Sequence, residues 1–143
     1  MARFASSRKL LLSVEGDPDA SAFDVEQGAC STSELVVALR ARRKRGLASA
    51  VYCALGSWQA TLTALTAEGL ADLPSYWWIA HPTTPAGTPG PAPAQLPVLG
   101  KRFSAFAQQY YWGPPHGPGC WDLSIVDPAA LNILGLFTGG PRA

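Results

Sequence analysis

At 143 residues, 48% of them apolar and 15% charged, the chain has the composition of one globular domain and is long enough to bury a core. Eleven basic and ten acidic residues leave a formal net charge of +1, which excludes a strong overall attraction to nucleic acid or to an anionic membrane surface. Three widely spaced cysteines (Cys30, Cys53, Cys120) form neither a disulfide framework nor a metal-site spacing, and His81 and His116 offer a zinc ion few ligands.

Arg3, Arg8 and Lys9 precede the apolar run Leu10-Leu11-Leu12-Ser13-Val14. The run is shorter than the core of a signal peptide, acids follow it, and nothing later reaches the length of a transmembrane helix. The expectation is synthesis in the cytoplasm without an export signal. Leu10 to Val14 reads as a buried strand, and Glu15-Gly16-Asp17-Pro18-Asp19 as a turn.

Ser21 to Gly28 then reads as a short strand ending in two carboxylates. On a strand, Asp24 and Glu26 share one face with Ala22, roughly 6–7 Å apart, while Phe23 and Val25 point the other way. Two such carboxyls repel, which separates their pKa values and lets one stay protonated as an acid beside an ionised neighbour. Taken alone, the pattern better describes a polar strand tip running into solvent.

Ser31-Thr32-Ser33-Glu34 has the spacing of a capping box, so a helix should run through Leu35, Val36 and Leu39 to about Arg45, where Gly46 ends it. The run Arg40 to Arg45 invites a nucleic-acid reading. Cations in the last turn of a helix suit its dipole, however, and no aromatic residues are interleaved as a base-stacking surface requires. No nucleic-acid partner is therefore expected.

Ala50 to Ala54 is a third strand. Ser57 is placed to cap a helix from Trp58 to about Glu68, before Gly69, and Tyr76 to Ala80 is a fourth strand. The proline density of residues 81–102 predicts a long loop. Ser104 to Tyr110 and Trp121 to Val126 give two more strands. Asp127-Pro128 opens a last short helix through Leu131 and Leu134, and residues 139–143 read as a flexible tail behind a single domain of residues 1–138. Strands separated by helices predict α/β architecture, with βα units and a mostly parallel sheet. Chemistry in such folds gathers at the carboxyl ends of the strands, here marked by Glu26, Tyr52, Trp78 and Gln109, with Asp122 near the start of the last strand. Acids, aromatic rings and amides at one rim are the inventory of a carbohydrate site, although each aromatic residue alone also suits core packing.

The succession Asp24-Val25-Glu26, Val51-Tyr52-Cys53 with Ser57-Trp58, Trp77-Trp78-Ile79-Ala80, Gln108-Gln109-Tyr110 and Trp121-Asp122-Leu123-Ser124 resembles the family-25 glycoside hydrolases. Within that family it looks closest to the divergent domains of actinobacteria and their phages. The resemblance covers roughly residues 8–127. It implies a (β/α)-barrel muramidase acting on peptidoglycan glycan strands, with Glu26 as general acid and Asp24 as the carboxylate that stabilises positive charge or orients the N-acetyl group. Asp122 would match the family's acid near the last strand, and Tyr52, Trp78 and Gln109 would line the sugar subsites. Neither a metal nor an organic cofactor is implied.

The six strands would correspond to the third through eighth of an incomplete (β/α)8 barrel. The open edges would then be met by a rearranged sheet, by another chain or by a second copy. Three functional readings stand at this point. One is a cell-wall hydrolase using Glu26, released from the host or carried on a phage virion. A second is a catalytically silent virion or assembly component that uses the same fold to bind protein or glycan. The third is a nucleic-acid-associated protein working through Arg40–Arg45.

Overall fold

A computed structural model describes residues 11–70, 76–88, 90–99, 103, 105–113, 122–127 and 129. Its elements are β1 (Leu12–Ser13), β2 (Ala22–Asp24), α1 (Thr32–Lys44), β3 (Ala50–Ala54), α2 (Trp58–Ala67), β4 (Tyr76–Ala80), β5 (Ala105–Tyr111) and β6 (Leu123–Val126). The six strands form one open, half-barrel sheet in sequential order, β1 to β6. The first five are mutually parallel and β6 runs antiparallel to β5, so the sheet is mixed and mostly parallel.

Both helices follow from local sequence. Ser31 caps α1 with a complete capping box, its side chain accepting from the Glu34 amide while the Glu34 carboxylate accepts from the Ser31 amide. Leu35, Val36, Ala38, Leu39 and Arg42 form the buried stripe of the helix. Gly46 and Gly69, at φ of 65° and 68°, leave α1 and α2 in the left-handed conformation that glycine adopts most readily. Ser57 holds the N-cap position of α2 without capping it. Its hydroxyl donates to the Ala54 carbonyl at 3.1 Å, so its oxygen is turned back toward β3.

Sequential order has a physical consequence. With crossovers of the usual right hand, every connecting helix falls on the same face of the sheet. Leu35, Leu39 and Leu65 of the helices accordingly share one core with Phe23, Val51, Cys53, Trp77 and Ile79 of the strands. In the β4–β5 connection the described residues form no helix. Leu99 is buried in the same core and Leu96 and Phe103 pack against it, covering the sheet where a third helix would lie. The opposite face carries no helix among the described residues. Its small cluster is Ala22, Ala50, Phe106 and Ala107, flanked by Leu12, Tyr76 and Trp78.

Three expectations change. The first strand is only two residues long and lies at the sheet edge, with Leu11 and Val14 more than half exposed, because it pairs with β2 alone. The carboxylate strand stops at Asp24. Asp24 Oδ1 accepts the Glu26 amide at 2.9 Å, and this side-chain turn competes with the strand ladder and draws Glu26 off the strand. The last strand is reversed relative to a continuous βα series. Asp127 Oδ1 accepts the Ala129 amide at 2.9 Å, the contact of an N-cap. The helix expected beyond it, the tail at 139–143 and Cys120 lie outside the described residues.

Candidate functional site

The open face holds a row of side chains set by strand register. Asp24 pairs with Tyr52, and Tyr52 with Trp78, so three neighbouring strands present an acid, a phenol and an indole side by side. Tyr52 and Trp78 are mid-strand residues, so the site lies within the sheet face as well as at its rim. Their rings meet edge to face, with centroids 5.3 Å apart.

Gln109 reaches the same face through a bulge. Trp77 pairs with Ala105 but Trp78 pairs with Ala107, which leaves Phe106 as an extra residue in β5. The extra residue reverses the alternation. Ala107 and Gln109 therefore fall on the face of Trp78, and Phe106 packs beside Tyr76 and Trp78. Buried Gln109 accepts a short hydrogen bond at Oε1 from the Tyr52 hydroxyl, which leaves its Nε2 hydrogens as the donors suited to a ligand.

Asp122 arrives because β6 is antiparallel. Tyr111, the last residue of β5, pairs with Leu123, the first of β6. The start of β6 thus lies at the carboxyl end of β5, the end where β2 also delivers its acids. A parallel sixth strand would have placed Asp122 at the opposite end of the sheet. Asp122 is exposed and accepts the Gly113 amide at 3.1 Å, which latches the end of β5 to the start of β6.

These residues enclose a cavity of about 230 Å³ lined by Leu12, Asp24, Tyr52, Trp78, Gln109, Asp122 and Ser124. Five of the six residues expected from sequence are in this lining. Ser124 accepts the Trp78 indole N–H at 3.1 Å. Glu26 stands beside the cavity, on the turn that follows Asp24. Burial, and then the charge of Asp24, raise its pKa above the ordinary glutamate value. The Tyr52 phenol is pushed up by burial first and then by the charges of Glu26, Asp24 and Asp122, so all three carboxylates act on one buried hydroxyl. Trp112, absent from the sequence expectation, lies near enough to Tyr52 to offset part of that rise. Its position directly after the last residue of β5 was the available signal.

The basic run belongs largely to the fold. Arg42 is buried, and its guanidinium donates to the carbonyls of Pro18, Ala20 and Ala48 and to the Ser49 hydroxyl. Arg40 pairs with Glu68 at 2.9 Å and Arg45 with Asp19 at 2.7 Å. Cys30 and Cys53 are buried free thiols, pushed by burial to about 11 and about 12 respectively, far from a reactive thiolate. Among the described residues no group of three or more His, Cys, Asp or Glu is arranged to hold a metal ion. No helix among them is long and apolar enough to cross a membrane.

No protein-family model matches the chain, and neither a curated protein nor a solved structure matches it.

Proposed function

We propose that the chain is a glycoside hydrolase-like protein that acts on peptidoglycan glycan strands, with its six strands an incomplete (β/α)8 barrel of the family-25 kind. The observation that carries this reading is the cavity on the open face, where Asp24, Tyr52, Trp78, Gln109 and Asp122 converge. Aromatic rings offer a surface to the C–H face of a sugar, while the carboxylates and the amide satisfy its hydroxyl and acetamido groups.

In this reading Glu26 protonates the leaving glycosidic oxygen. Burial and the charge of Asp24 raise its pKa, which favours the protonated form a general acid needs. Asp24 stabilises positive charge at the sugar, and its hydrogen bond to the Glu26 amide fixes the two residues relative to each other. Asp122 and Gln109 orient the ring. Delivery to the cell wall would come from a phage virion or from host lysis.

The test is release of reducing ends from purified peptidoglycan by the wild-type chain and by Glu26→Gln, both shown to be folded and of known mass. Release that disappears in the variant supports the proposal. Equal release by both rejects Glu26 as the acid. No release from the folded wild-type chain favours a second reading, a silent binding or assembly component. The exposed apolar residues Leu11 and Val14 beside the edge strand β1 favour that reading, because a sheet edge of this kind invites pairing with another chain or a second copy.

A further inference from the structure

We propose that Trp112 is a further glycan-binding residue, its exposed indole forming a platform at the mouth of the cavity on which a second sugar ring stacks. This assignment rests on the glycan reading of the site.

Trp112 follows β5 directly and is 39% exposed, unusual for the largest apolar side chain. Its backbone is held from two sides. Its carbonyl accepts the Gly87 amide at 2.7 Å, and the next residue, Gly113, donates its amide to Asp122 at 3.1 Å. The segment containing Gly87 is itself braced by the Thr84 hydroxyl, which donates to the Thr88 carbonyl at 2.7 Å. Gly113, the next residue, is bonded to Asp122 of the cavity lining, and the indole lies close to Tyr52, another lining residue. An exposed ring on a fixed backbone loses little entropy when a ligand covers it. A cavity of about 230 Å³ is smaller than sites that enclose a drug-sized ligand and takes about one sugar ring, so a longer glycan must continue across the rim. Trp112 adjoins that rim, directly before the residue whose amide donates to Asp122 of the lining.

The experiment is calorimetric titration of the wild-type chain, Trp112→Ala and Trp112→Phe with N-acetylglucosamine and with its β-linked trimer. Thermal unfolding confirms that each variant is folded. Trp112→Ala should weaken trimer binding about tenfold by removing the stacking area, leave the monomer unchanged, and be largely rescued in Trp112→Phe, which keeps an aromatic face without the N–H. Trimer binding equal in the wild type and Trp112→Ala overturns the assignment while leaving the glycan reading intact. Equal weakening of monomer and trimer, or no rescue by phenylalanine, also overturns it, since Trp112 would then act through Tyr52. A wild-type chain that binds neither sugar overturns the glycan reading and this assignment together.

Discussion

The Tyr52 hydroxyl donates to Gln109 Oε1 across the intervening strand β4, joining two residues 57 positions apart. Both are buried, and the bond fixes which end of the Gln109 amide remains for a ligand. Tyr52→Phe leaves the amide oxygen without this partner. We expect a loss of about 1–2 kcal/mol in stability, read from urea denaturation. A double-mutant cycle with Gln109→Leu should recover part of it, because removing both polar groups leaves neither unsatisfied.

Glu26 ties stability to pH with a definite sign. Its folded-state pKa lies above the unfolded value of about 4.5, so the fold favours the protonated form. Its contribution is therefore most favourable below the unfolded pKa and is lost as pH rises through the folded one. Glu26→Gln should be more stable than the wild type near neutral pH and should lose less stability between about pH 4 and about pH 7. Thermal unfolding across that range checks the sign, and a wild-type chain that gains on the variant as pH rises would contradict it.

Arg42 should be the most sensitive position of the basic run. Arg42→Ala strips hydrogen bonds from three carbonyls and the Ser49 hydroxyl where the end of α1 meets the β1–β2 turn and the α1–β3 connection. A loss of about 3 kcal/mol is expected in chemical denaturation, whereas exposed Arg43→Ala should stay within about 0.5 kcal/mol of wild type. Comparable losses at the two positions would show that Arg42 is not the clamp described.

Two glycines with positive φ should respond differently to alanine. A Cβ at Gly16, where φ is 73°, would come 2.9 Å from Glu34 Cβ and 3.2 Å from the Glu34 backbone, which α1 holds in place. At Gly28, where φ is 86°, it would meet nothing within 4 Å. Gly28→Ala should cost about 1 kcal/mol of backbone strain alone, and Gly16→Ala clearly more. Melting temperatures of the two variants, measured side by side, test the order.

Much of the fold was legible because its signals are local. The capping box at Ser31, the stops at Gly46 and Gly69 and the apolar strand Ala50–Ala54 act within a few residues of chain. Of the acids, rings and amide that residue type marks, Asp24, Tyr52, Trp78, Gln109 and Asp122 line the cavity and Glu26 does not, while Tyr52 and Trp78 lie mid-strand rather than at the expected strand ends. The turn at Asp24 was less legible. A carboxylate that accepts the amide two residues on looks in sequence like a continuing strand, and only the hydrogen bond reveals that Glu26 has left it.

The sequence by itself determined the order of strands and helices and the residue types available to a site, since hydrophobic period, caps and glycine stops depend on near neighbours. Tertiary structure decided which of those residues meet. The extra residue at Phe106 turns Gln109 onto the face of Trp78, and the reversal of β6 carries Asp122 to the acid end of the sheet. The buried role of Arg42 was decided there too, by carbonyls that come together when the β1–β2 turn packs against the α1–β3 connection. Register, strand direction and burial are properties of pairs of segments, and the energy that selects them exists only once both partners are in place.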